Sequence, residues 1–186
     1  MAEITWIDAQ VIAVLADCRI HPDGGPEWSD AFLETLRGVD LIVTLGNMSD
    51  AASLDQLGAI APVLGVLGTD DSDDKRVAAS ARTLDTGSTR IGCVFDAVAS
   101  GLAVETSPFV PSETWKEQIG VLFGGPIAVL IHASTQRPYL GNLDGILLVN
   151  PGSALLTAQG PKPSFAVLNI DGSSVDAAIV PVPRTA

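Results

Sequence analysis

The stretch Val11-Ile12-Ala13-Val14-Leu15-Ala16-Asp17-Cys18-Arg19 decides how the rest of the chain is read. An apolar run rich in β-branched residues passes straight into a polar loop, the mark of a buried strand that delivers Asp17 and Arg19 at its carboxyl end. The loop beyond holds His21, Pro22, Gly24, Gly25 and Pro26. The pattern then returns twice. Residues 41–45 form a second apolar run closed by Gly46, and residues 63–67 a third, entered from Pro62 and closed by Gly68, although Gly65 weakens it as a strand. Between them Ser29 is placed to cap a helix with Phe32, Leu33 and Leu36 on one face and Gly38 as its stop. Ser49 or Asp50 can open a second helix through Leu54 and Leu57 to Gly58. Strands alternating with helices imply parallel pairing, with ligands beyond the carboxyl ends of the strands.

The second half changes character. After the acidic stretch Asp70-Asp71-Ser72-Asp73-Asp74, read as a solvated loop, residues 82–84 and 90–95 are short strands joined by a turn. Ile91, Cys93 and Phe95 share one face of the latter, which ends at Asp96. Ser112 is placed to cap a helix in which Trp115, Ile119, Leu122 and Phe123 make one apolar stripe, stopped at Gly124-Gly125. Residues 127–132 and 146–149 are further strands, and 164–170 with 175–180 form a hairpin around Asp171-Gly172. The expectation is an α/β sandwich of two packed mixed sheets flanked by helices. It forms a single domain over residues 1–186, with a short N-terminal extension, 1–10, that carries Trp6.

Composition narrows the function. The 186 residues are 47% hydrophobic and only 17% charged, which excludes an intrinsically disordered chain. Asp plus Glu outnumber Lys plus Arg by 22 to 10, a net charge of −12, so nucleic acid and membrane surfaces are not expected partners. His21 and His132 are the only histidines, and Cys18 and Cys93 the only cysteines. That count leaves no room for a His-rich metal centre or a disulfide framework. With no basic N-terminal signal and no apolar run of about 18 residues, a cytoplasmic protein with free thiols is expected.

The polar loops occur in a telling order: Asp17-Cys18-Arg19, Gly46-Asn47, Gly68-Thr69-Asp70-Asp71, Phe95-Asp96, Ala133-Ser134-Thr135-Gln136-Arg137-Pro138, Asn150-Pro151-Gly152-Ser153, and Pro163-Ser164 before the last hairpin. In this order and spacing the chain resembles the calcineurin-like metallophosphoesterases over nearly its whole length. It is most similar to the small single-domain bacterial and archaeal phosphodiesterases and to the phosphoesterase-like subunit of retromer. The corresponding family motifs are D-x-H, G-D, G-N-x-D, H-G, G-H-T-H-R-P and N-P-G-S. The resemblance implies a two-metal site in which a bridging carboxylate and several histidines hold two dications around an activated water.

The same comparison implies that this site is dismantled. Asp17 survives. Arg19 puts a fixed cation where a ligand belongs, Asn47 a neutral amide in place of the bridging carboxylate, Thr69 a poor ligand, and Phe95 no donor at all. Ser134 and Gln136 replace both histidines of the last ligand loop, while Asn150–Ser153 is intact. The vestigial site is therefore Asp17, Arg19, Asn47, Thr69, Asp71, Phe95, Asp96, Ser134, Gln136 and Asn150, with no catalytic residue, metal or other cofactor expected.

Three readings follow. The first is a degenerate phosphoesterase-like protein that binds a protein partner or a small anion near Arg19, with a homo-oligomer left open. The second is a phosphoesterase with an altered site, in which Asp17, Asp71 and Asp96 surround Mg²⁺ or Mn²⁺. The third is an interaction protein docking through its Trp6-bearing extension. Plainer roles stand beside them: an Asp17–Arg19 ion pair, a packed His132, an exposed His21, inert thiols at Cys18 and Cys93, and Trp115 as helix core. Trp6 and Trp28 are left for a contact surface.

Overall fold

The computed structural model describes residues 1–18, 28–48, 51–69, 71, 74–102, 112–155 and 162–183. The opening apolar run is strand β2 (Val11–Leu15), in parallel register with β3 (Leu41–Leu45), which pairs in turn with β4 (Val63–Val66). The Asp40 carboxylate sets the start of β2 by accepting the N–H groups of Gln10 and Val11, both at 2.8 Å. These hydrogen bonds hold that carboxyl below its ordinary range. The hairpin of β10 (Ser164–Asp171) and β11 (Ser174–Pro181) joins antiparallel to β2, completing a five-stranded sheet in the order β11-β10-β2-β3-β4.

The second sheet has six strands. Its centre is β6 (Arg90–Val94), β7 (Val129–Ile131) and β9 (Ile146–Asn150), all parallel. The antiparallel strand β5 (Ala81–Asp85) flanks β6, and β8 (Tyr139–Leu143) flanks β9. One element is a departure from the sequence reading: the extension is itself a strand, β1 (Glu3–Trp6), added parallel to β5 as the sheet edge. Strand β8 is another. Its turn into β9 is Asp144-Gly145, both left-handed at φ 53° and 86°, an Asp-Gly hairpin signal passed over in the sequence.

The two sheets face each other across one apolar layer. Val14, Val43 and Leu45 meet Leu84, Ile91, Cys93, Ile131 and Val149, all with no exposure. The other face of the β2 sheet is covered by α1 (Asp30–Thr35) and α2 (Ala51–Gly58) through Phe32, Leu36, Leu54 and Leu57. Ser29 caps α1 as expected, accepting Phe32 N–H at 3.2 Å. The other face of the β6 sheet is covered by α3 (Ser112–Phe123) through Trp115, Ile119 and Phe123. The chain is thus an α/β sandwich of two mixed sheets with helices outside. Each large side chain so buried contributes about 1.5–3 kcal/mol. Trp28 belongs to this packing rather than to a contact surface: its ring lies 5.0 Å from Phe32, and its Nε1 donates to Ser53 O.

The carboxyl ends of β2, β3 and β4 and those of β6, β7 and β9 close on one another. Ala154 N–H donates to Ala16 O at 3.0 Å, and Ser153 Oγ to Asp17 O at 2.9 Å. This is where the polar loops meet. No helix among the described residues is long and apolar enough to cross a membrane.

Candidate functional site

Asp17 follows β2 in a left-handed conformation (φ 51°) and is buried. Asn47 follows β3 in the same conformation (φ 57°) and is buried too. Their side chains meet: Asn47 Nδ2 donates to Asp17 Oδ1 at 2.8 Å. The same amide reaches the loop after β4, where its Oδ1 accepts Thr69 N–H at 3.0 Å and Thr69 Oγ1–H at 3.2 Å. One neutral amide therefore ties three strand ends together. The job needs a group with both a donor and an acceptor, which a carboxylate lacks when ionised.

Asp71 supports this arrangement from below. Its carboxylate accepts three backbone N–H groups: Asn47 at 2.9 Å, Met48 at 2.5 Å and Gly68 at 2.6 Å. The acidic stretch is accordingly not a simple solvated loop. Asp74 in turn is held by Arg76, whose guanidinium lowers its carboxyl to about 2. Asp70, Ser72 and Asp73 lie outside the described residues, as do Arg19 and His21, so neither the Asp17–Arg19 ion pair nor the exposure of His21 is placed. Replacing Asp71 by Ala is expected to cost about 2 kcal/mol by leaving three amides short of an acceptor. A urea titration measures it, and an unchanged midpoint would refute that role.

The backbones approach closely here. A Cβ on Gly46 (φ 81°) would lie 2.5 Å from Gly68 Cα and 2.9 Å from Phe95 Cδ2. Glycine at 46 lets the loops after β3 and β4 stack and brings the Phe95 ring over them. Phe95 is half-buried against the inter-sheet core, where its phenyl offers bulk and no lone pair. Its neighbour Asp96 turns away, with Oδ1 accepting Ala99 N–H at 2.9 Å.

The loop after β7 is pinned by Ala133 N–H donating to Phe95 O at 2.9 Å. Ser134 and Gln136 are both left-handed, at φ 66° and 57°. Of the five non-glycine residues with positive φ among those described, four (Asp17, Asn47, Ser134 and Gln136) are thus among the site positions singled out in the sequence. Such a backbone is costly for Ser and Gln, and it is kept here without a ligand side chain to present. Asn150 closes the group: Nδ2 donates to Thr135 Oγ1 at 3.0 Å, and Oδ1 accepts Gly152 N–H at 3.0 Å. Its neighbour Ser153 holds the Asp17 carbonyl, so the intact Asn-Pro-Gly-Ser run has a structural employment.

The donor set bears directly on metals. The neutral amide at 47 cannot supply the charge that a bridge between two dications requires, and Phe95 cannot ligate. Asp71 and Asp96 are engaged with backbone amides. Among the described residues no three His, Cys, Asp or Glu side chains stand together as a metal ion would need. A dinuclear centre does not fit these residues. One atom does invite a cation or a donor: Asp17 Oδ2 is buried and has no hydrogen-bond partner among the described residues.

His132 is buried on the β7 side, its N–H bonded to Val149 O, which matches the packed role. Burial drives the Cys18 thiol well above its usual range, helped by the Asp17 and Asp71 charges, and pushes Cys93 up to about 12. Both thiols are therefore expected to resist a disulfide reagent at about pH 8 in the native protein and to react once it is unfolded in urea. Prompt labelling of either in the native state would show that its burial is breached.

The match to known proteins covers the whole of this assembly. The family model for the calcineurin-like phosphoesterase superfamily domain matches residues 12–173. A probable metallophosphoesterase of Methanothermobacter thermautotrophicus is 29% identical over 170 residues, 91% of either chain. Among solved structures, Vps29 of Chaetomium thermophilum complexed with a cyclic peptide superposes with a TM-score of 0.66 at 21% identity, covering 95% of this chain and 99% of that one. Vps29 of Entamoeba histolytica complexed with zinc gives 0.65 at 20% identity, covering 93% and 99%.

Proposed function

The chain belongs to the calcineurin-like phosphoesterase superfamily, and we propose that within it this protein is a binding or scaffold member without two-metal catalysis. The observation that carries the reading is the Asn47 amide. It spans Asp17 and Thr69 by hydrogen bonds at the junction of three loops, a place where catalysis would call for a bridging carboxylate. The strand ends are held to one another by hydrogen bonds of Asp17, Asn47 and Asp71. A protein partner is the favoured ligand, in keeping with the peptide complex of the Vps29 neighbour. A small anion near Arg19 is the other.

The test is hydrolysis of bis(p-nitrophenyl) phosphate with Mn²⁺ in excess, together with metal analysis after desalting. Background rates and no retained metal are expected. Turnover that disappears in Asp17→Ala would overturn the proposal.

A second reading, a phosphodiesterase with an altered Mn²⁺ or Mg²⁺ site, draws on one atom, the unpartnered Asp17 Oδ2. It also draws on the relative described as a probable metallophosphoesterase. Its other ligands, Asp71 and Asp96, already accept backbone N–H groups. A melting temperature raised by Mn²⁺ and lost in Asp17→Asn would favour it.

A further inference from the structure

Strand β1 leaves an open sheet edge. Ile7 N–H donates to Asp85 O, and the register Glu3↔Arg82 and Thr5↔Leu84 turns the backbone groups of residues 3, 5 and 7 toward β5. Because alternate residues of a strand point their N–H and C=O to opposite sides, those of Ile4 and Trp6 point outward. Neither has a backbone partner among the described residues, whereas Ala2 N–H, next in that series, is taken by Leu122 O at 2.7 Å. The side chains on this strip are equally uncovered: Trp6 is 72% exposed and Ile4 48%, with Val121 of α3 exposed as well. Ile4 Cδ1 lies near Gly124 at the end of α3, which places Ile4 and Trp6 on the outer face of the sheet.

Two other edges are guarded, while β8, the opposite edge of the same sheet, exposes Tyr139 and Leu140. The 76–79 segment covers β4, with Gly65 N–H bonded to Arg76 O and Leu67 N–H to Ala79 O. Strand β11 carries Asp176 and Pro181. The one charge on β1, Glu3, is bound to Arg82. Strand β1 also lies outside the 12–173 stretch that the family shares.

We infer that β1 is a self-association edge, occupied by β1 of a second copy of this chain in antiparallel, two-fold pairing. The open edge has only two outward-facing residues, so an equally short edge matches it without excess N–H or C=O groups. Ile4 then pairs with Trp6 of the second copy and Trp6 with its Ile4. Each pair exchanges two hydrogen bonds and stacks its side chains on one face. Two six-stranded sheets become one continuous sheet. The overall negative charge does not oppose this locally, because no carboxylate lies on the outward face of β1. The strip is small, below the roughly 1,200 Å² of standard complexes, so the dimer is a concentration-dependent one.

Sedimentation velocity of the full chain from roughly 10 μM to 1 mM is the experiment. The mean mass should climb toward that of a dimer while tryptophan emission shifts to the blue, since Trp115 is already buried and Trp28 half-buried. Trp6→Lys and, separately, Ile4→Lys should hold the chain monomeric with unchanged circular dichroism. Val98→Lys, at an exposed apolar site elsewhere, should leave the dimer intact. A wild-type chain that stays monomeric throughout overturns the inference and leaves the edge to a strand of another protein. So does a dimer without the blue shift, or one that survives both lysine variants.

Discussion

Asn47→Asp is expected to destabilise the protein by about 3 kcal/mol at neutral pH, a fall of roughly 6–12 °C in melting temperature for a domain of this size. The substitution removes the donor now 2.8 Å from Asp17 Oδ1 and sets two carboxylates against each other in a buried site. The effect carries a pH signature. Two adjacent carboxylates share a proton more readily in the folded protein than in the unfolded chain, so the folded state binds more protons. Stability of the variant therefore falls as pH rises and recovers toward about pH 4, where a protonated carboxyl can donate as the amide did. The variant also creates a site for a divalent cation, so Mn²⁺ should restore much of the lost stability while leaving the wild type unmoved. A variant as stable as the wild type, at any pH and without metal, would mean that the amide bridge matters little.

The second large effect is expected far from the loops. Arg82 is 3% exposed and ties its own strand β5 to β4 of the facing sheet and to the distant β1. Its Nε donates to Gly65 O of β4 at 3.1 Å, and its Nη1 to Glu3 Oε1 at 2.8 Å and Thr5 Oγ1 at 2.7 Å on β1. It thus locks the N-terminal strand to both sheets. Arg82→Ala leaves the Gly65 carbonyl and the Thr5 hydroxyl without that donor and opens a cavity, at a cost of about 3–4 kcal/mol. Glu3→Gln should cost far less, because Glu3 is 61% exposed and water replaces the contact. Amide exchange locates the damage: in Arg82→Ala the β1 and β5 amides lose protection before those of β2 and β3. Uniform loss across both sheets would contradict a locking role.

What the residues disclosed in advance, and what they hid, divides by the range of the contacts. The run at 41–45 is read correctly from its own composition because it is buried on both faces, and the 164–180 hairpin because its turn is local. Strand β1 escaped because its partner β5 is some eighty positions away and its outward face is exposed, so no burial pattern marks it. Arg82 escaped for a related reason: one arginine in a strand looks like a surface residue until Gly65, Glu3 and Thr5 are folded around it. Within the site, the order of the loops was enough to gather Asp17, Asn47, Thr69 and Phe95. The part played by Asp71 was not legible, since three amides on two different loops define it. Trp28 needed the helix α1–α2 packing to be seen as core.

On the proposed reading, hydrogen bonds through Asn47 hold together what metal ions would otherwise bridge. Titrating Mn²⁺ into the chelator-treated wild-type protein while recording its melting temperature and the bound metal tests it most directly. A flat melting temperature and no stoichiometric metal up to millimolar concentration are expected. A saturable rise with about two ions bound per chain, as a dinuclear centre requires, would contradict that reading.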